Sequence, residues 1–124
     1  LMTVKDFDKS LAEGVMLLTP FAPDAQDETT KTFVAAYKAK FNNEVPNQFA
    51  ADAYDVIYAI KAAAEKANLT PDMTASEMCE ALKGVMTQIT LDGVTGAGIV
   101  WDEKGEPNKE PRAMKIVNGV YAAM

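Results

Sequence analysis

The period of the apolar residues changes at Met86. Before it they recur every three or four positions, as along one face of a helix; after it they alternate, as along one face of a strand. A chain that carries both periods in separate blocks must pack helices against a sheet, which places it in the α/β class.

Three helical blocks precede the change. In the first, TTKTFVAAYKAKF, Phe33, Tyr37 and Phe41 recur at helical spacing with Val34 beside them and the lysines turned outward. The second begins near Ala50, where Val56, Ile57, Ile60, Ala63, Ala64 and Ala67 form an apolar stripe broad enough to predict a largely buried helix held by packing. The third begins at TASE, where Thr74 and Glu77 have the spacing of a capping box, and it ends near Gly84 with Met78, Leu82 and Val85 on one face. NNEVPNQ and NLTPDM are the breaks between them.

Strand signals lie on both sides of this helical middle. VMLLT, stopped by Pro20, is a short unalternating apolar run and predicts a strand buried on both faces of a mainly parallel sheet. After Met86, Ile89 and Leu91 alternate with polar residues, and Gly93, Gly96 and Gly98 mark bends. AMKIVNGVY alternates again around Asn118-Gly119, a two-residue hairpin signal. The opening phrase LMTVKDFDKSLAEG reads as polar and helix-like. A central strand and a hairpin tip without most of their neighbours predict that these 124 residues are a piece of a longer chain.

Composition excludes several functions. A net charge of -6 without clustered Lys or Arg argues against a nucleic-acid surface. The absence of histidine removes Ser-His-Asp and Cys-His nucleophile pairs and every zinc site that needs an imidazole. Cys79, alone and beside Met78 and Leu82, reads as a buried, inert thiol. No run approaches the ~18 apolar residues of a membrane span.

The candidate chemistry is correspondingly sparse. GVTGAG lacks the Lys-Ser/Thr of a phosphate loop and leads into a strand, so its glycines serve bends. DEKGEP lacks the ligand spacing of a calcium loop and reads as a solvated turn. Asp52 and Asp55 near the start of the second helix complement its dipole, or Asp52 belongs to a ligand-facing loop. In the second case Phe49 supplies an apolar wall and Ala50 and Ala51 allow close approach.

The phrases GVMLLTPFAPD, FVAAYKAKFNNEVPNQFAADAYDVIYAI and GVTGAGIVWDEKGEP, in this order, resemble the C-terminal part of the type I extracytoplasmic substrate-binding proteins of ABC transporters. The resemblance is to the Leu/Ile/Val-binding group and runs from about Ala12 to Tyr121. It implies a partial type I periplasmic-binding-protein fold: a piece of a Rossmann-like three-layer lobe with three helices and both parallel and antiparallel strands. By the match, residues 1–21 and 111–124 are second-lobe segments and 22–110 a first-lobe segment.

The implied function is capture of a branched-chain or related amino acid in an interlobe cleft and delivery to an ABC transporter permease. The protein would be periplasmic or a membrane-anchored lipoprotein. No cofactor, metal or catalytic residue is implied, and no nucleic acid. Phe49, Ala51 and Asp52 match the loop that faces the ligand, with Asp52 the better candidate of the two acids; Tyr54 and Asp55 match helix-start and packing residues. The same fold also serves in receptors and regulators, and a different ligand such as an amide or aromatic acid stays open. An enzyme using Asp52 and Asp55 is the third reading. The isolated piece, with an unburied helix stripe and open strand edges, is expected to self-associate or swap elements.

Overall fold

The computed structural model describes residues 4–124, and these form two compact units. One comprises the described residues up to Gln48 together with Glu110–Met124; the other is Phe49–Lys109.

The first unit is built on an antiparallel sheet of three strands in the order β1 (Met16–Thr19), β4 (Arg112–Val117), β5 (Val120–Ala123). β1 pairs with β4 from Met16 opposite Lys115 to Thr19 opposite Arg112, although almost a hundred residues separate them in the chain. β4 alternates as expected: Met114 and Ile116 are buried and their neighbours are not. It returns into β5 through Asn118-Gly119, both at positive φ (51° and 73°), which gives the two-residue turn that matches strand twist. Every strand pair among the described residues is antiparallel. The doubly buried strand in a mainly parallel sheet, expected at VMLLT, is therefore an edge strand here. Met16 and Leu18, two positions apart and so on one face of the strand, are exposed, while Leu17 and Thr19 on the other face are half-buried and buried.

α1 (Glu28–Lys40) lies in the same unit. Asp27 caps it by accepting from the Thr30 N–H at 2.8 Å and the Thr30 hydroxyl at 2.9 Å. The aromatic spacing read from the sequence yields a ladder: Phe21 meets Phe33 edge-on with centroids 5.8 Å apart, and Phe33, Tyr37 and Phe41 follow along the helix. Asn42 and Asn43 both take positive φ and end the helix. Two ties fasten the ends of the unit, the Arg112 guanidinium 3.6 Å from Asp27 and the Ala123 N–H donating to Asp24 at 3.0 Å. Of LMTVKDFDKSLAEG, residues 1–3 lie outside the described residues, and the remainder forms a bend and one 3-10 turn, Lys9–Ala12, rather than a helix. Four residues of that turn are too few to stabilise a longer helix, and Gly14 at positive φ stops it.

The second unit holds nearly all of α2 (Gln48–Lys66), α3 (Ala75–Val85) and the hairpin of β2 (Leu91–Gly93) and β3 (Gly96–Ile99). Its core is Ala59, Ala63 and Ile89, with Leu82, Val85, Met86, Leu91 and Trp101 packed around them. α3 begins as read: the Glu77 N–H donates to the Thr74 hydroxyl, and the Thr74 N–H donates to the Glu77 carboxylate at 2.8 Å. Its Cys79 is exposed, not buried as expected, because Leu82 and Val85 carry the packing and the thiol points off that face.

α2 departs furthest from the sequence reading. The residues it buries are Ala51, Asp55, Ala59 and Ala63, a line at four-residue spacing, while Val56, Ile57 and Ile60 are 53%, 65% and 50% exposed. Small side chains on that line let the β2–β3 hairpin come close to the helix axis, and the larger aliphatics are left to one side.

Candidate functional site

The site region of the second unit is assembled from the first three turns of α2, the β2–β3 hairpin and the strand exit through Trp101 to Lys109. Asp55 is its anchor. This carboxylate is 3% exposed and accepts three hydrogen bonds, from the Val94 N–H at 2.9 Å, the Thr95 N–H at 2.8 Å and the Thr95 hydroxyl at 2.6 Å. Val94 and Thr95 form the turn between Gly93 and Gly96 and are themselves buried. Their amides would be unpaired inside the protein without this acceptor.

Gly93 makes the approach possible: a Cβ on it would collide with both oxygens of the Asp55 carboxylate. The bend role read for the GVTGAG glycines holds, and Gly93 has a second role as the surface on which Asp55 rests. The helix-dipole role read for Asp55 does not hold. It lies in the second turn of α2, whose first turn contains no acid, and its bonds run to residues about forty positions away.

Asp52, one turn before Asp55, accepts from the Lys109 ammonium at 2.9 Å, and the two side chains are 32% and 23% exposed. Both residues line a recess of about 240 Å³ together with Asp55, Val56, Leu91, Ile99, Trp101 and Pro107. Pro107, which lines the recess, ends the DEKGEP turn. Asp102 accepts from the Lys104 and Glu106 N–H groups, Gly105 takes positive φ, and Trp101 bridges to Pro107. This is the solvated turn expected there. Among the described residues no group of three or more metal-ligating side chains is clustered, and no helix is long and apolar enough to cross a membrane.

Of the three residues expected to face a ligand, Asp52 lines the recess, Ala51 is fully buried on the next face of the helix, and Phe49 is 77% exposed. The carboxylates of Asp52 and Asp55 are both committed, one to an ammonium and one to three donors of the turn, an arrangement that holds shape and charge. Nearby, the Tyr54 hydroxyl donates to Tyr58 at 3.3 Å. That bond, with partial burial, the adjacent phenol and Asp55, pushes the Tyr54 phenol above its ordinary range. Sequence reasoning did not single out Lys109, Trp101 or the Asp55 clasp. The available signal for the last was an acid in line with Ala51, Ala59 and Ala63, since a charge on a small-residue face must find partners when that face is buried.

Comparison with known proteins gives a consistent result. A leucine-bound ABC transporter substrate-binding protein from Desulfitobacterium hafniense is similar over 93% of this chain and 32% of its own, with a TM-score of 0.76 and 22% identity. The isoleucine-bound branched-chain amino acid transporter substrate-binding protein of Streptococcus pneumoniae gives 0.72 and 27% identity over 93% of this chain and 30% of its own. A solute-binding protein of Rhodopseudomonas palustris in complex with 3,4-dihydroxybenzoic acid gives 0.73 and 23% identity over 99% and 32%. The chain thus spans about a third of the length of the solved structures it matches. No curated protein sequence is similar enough to count as a match. A sequence model described as periplasmic binding protein matches residues 2–120, and with nearly the whole chain inside that match, the protein belongs to the periplasmic binding protein family.

Proposed function

We propose that this chain is part of the extracytoplasmic solute-binding component of an ABC importer and that the complete polypeptide captures a branched-chain or related amino acid. The observation that carries the reading is the match over residues 2–120, joined to 27% identity with an isoleucine-bound relative. In this reading residues 22–110 belong to one lobe and residues 1–21 and 111–124 to the other. A solute held between the lobes favours the closed state by its contacts with both, and the closed form is what a permease partner recognises. The protein works in the periplasm or anchored outside the membrane, without covalent chemistry.

Phe49, Ala51 and Asp52 are the ligand-facing candidates, and the exposure of Phe49 supports its role as an apolar wall. Asp52 acts with Lys109: the ammonium fixes the carboxylate on the lining of a mainly apolar recess, where it presents a defined acceptor rather than a mobile charge.

The test is calorimetric titration of the complete polypeptide that carries these residues with leucine, isoleucine, benzoate and 3,4-dihydroxybenzoate. Saturable binding of leucine or isoleucine, weakened at least tenfold by Asp52→Ala with the circular dichroism unchanged, is expected. Binding of an aromatic acid alone would replace the ligand, and amino-acid binding indifferent to Asp52→Ala would remove Asp52 from the site.

A further inference from the structure

The boundary between the two units falls inside the first turn of α2, between Gln48 and Phe49, and again between Lys109 and Glu110. The ligand-facing candidates Phe49, Ala51 and Asp52 begin at the first of these crossings. Gln48 and Asp52 lie one turn apart on the same face of the helix, and each is held by a residue distant in the chain. The Asp52 carboxylate takes the ammonium of Lys109, the last residue before the second crossing. The Gln48 side-chain Oε1 accepts from the Thr19 hydroxyl at 2.8 Å, within the first unit.

Thr19 is built into its place. It ends β1, is 4% exposed, and its hydroxyl accepts from the Phe21 N–H at 3.3 Å. Of the two acceptors within reach of that hydroxyl, the Gln48 oxygen at 2.8 Å is nearer than the Phe21 carbonyl at 3.2 Å, so its single proton goes to Gln48. The strand partner of Thr19 is Arg112, three positions beyond Lys109, and Pro111 stiffens the link between them. The pairs Lys109–Asp52, Gln48–Thr19 and Thr19–Arg112 thus flank both crossings, and the fully buried Pro46 fixes the approach to α2. Each is a contact between residues of this chain, whatever else of the complete polypeptide packs on its surface.

We propose that Gln48 is a positioning residue for solute capture: through Thr19 it ties the first turn of α2 to the end of β1, so that the solute meets a turn already formed. The inference rests on the reading of Phe49, Ala51 and Asp52 as ligand-facing. A turn that must be ordered on binding lowers the competent fraction of the free protein, and the apparent affinity falls by that fraction. Gln48 does not line the recess, so its effect on affinity runs through the helix backbone and not through contact with a solute there.

The test uses the complete polypeptide. Gln48→Met keeps the length of the side chain and removes the acceptor; Thr19→Val removes the donor and Thr19→Ser keeps it. With no solute present, the amides of Asp52, Ala53 and Tyr54, which bond back to the carbonyls of the first turn, should exchange with deuterium about threefold faster or more in Gln48→Met, while those of α3 are unchanged. Titrated with whichever of leucine, isoleucine, benzoate and 3,4-dihydroxybenzoate the parent binds, Gln48→Met and Thr19→Val should each weaken binding about two- to tenfold, the range of one neutral hydrogen bond. The double variant should be no weaker than the weaker single one, and Thr19→Ser should match the parent. Lys83→Gln, which breaks an exposed ion pair on α3, should alter neither exchange nor affinity. Parent-like exchange or affinity in Gln48→Met, or effects that multiply in the double variant, would overturn the proposal. If the parent binds none of the four solutes, the proposed ligand class falls and the exchange rates decide on Gln48 alone. If Gln48→Met does not fold, Thr19→Val set against Thr19→Ser decides.

Discussion

Asp55→Ala would remove the acceptor for three donors at once: the amides of Val94 and Thr95 and the Thr95 hydroxyl. Each buried donor left unmet costs about 1 to 3 kcal/mol, and hydrogen bonds to a charged acceptor lie toward the upper part of that range. The three are not independent, because water entering the vacated space recovers part of the loss. The expected destabilisation is about 3 to 5 kcal/mol, the range for breaking a buried charged network by deleting one partner. Against a typical stability of 5 to 15 kcal/mol, that is enough to unfold the unit at modest denaturant.

Asp55→Asn gives a finer test. It keeps one acceptor oxygen but turns the other site into a donor facing a donor, so about half the effect should remain. Trp101 is the only tryptophan and packs at the edge of the core beside the hairpin, so its fluorescence in a urea titration reports this unit. An unfolding free energy for Asp55→Ala within about 1 kcal/mol of the parent's, or an Asn variant indistinguishable from the parent, would refute the clasp as a stabilising feature.

Other expectations follow from neighbouring geometry. Gly93→Ala should destabilise through the same contact, and the double variant with Asp55→Ala should fall well short of the sum, as a double-mutant cycle in urea would show. Thr74→Ala removes one half of the capping box and should cost about 1 kcal/mol by thermal denaturation. Gly119→Val places a β-branched side chain at φ 73° in the hairpin turn and should lower the melting temperature, whereas Gly84→Ala, in open space within a helix, should raise or preserve it. Burial works to raise the Asp27 carboxyl, but the amide and hydroxyl of Thr30, with Arg112, outweigh it and hold the group below its ordinary range. A depressed folded-state value means that this contribution is complete above the unfolded-state value and is lost as pH falls below about 4 toward the folded one. Acid titration of Asp27→Asn should therefore show a smaller loss of stability below pH 4 than the parent.

Local interactions were legible in the sequence because both partners sit within a few residues of each other. Thr74 and Glu77 cap α3, Asn118-Gly119 turns β4 into β5, the glycines of GVTGAG bend the hairpin, and Asp102 closes the DEKGEP turn. Backbone sterics and short-range hydrogen bonds decide each of these before any tertiary contact forms. Tertiary structure decided which face of α2 is buried, since periodicity locates an apolar stripe but not the shape that meets it. The Ala51–Asp55–Ala59–Ala63 line won because a hairpin that carries a bare Gly93 can approach alanines more closely than it can approach Val56 or Ile57. The same long-range packing gave Asp55 its partners forty residues on, joined Lys109 to Asp52, turned Cys79 outward and paired β1 with a strand almost a hundred residues distant. The partners in these pairings leave no local trace, because each follows from where the chain returns after a long excursion; the Asp55 clasp alone shows in the sequence, as an acid on a small-residue line.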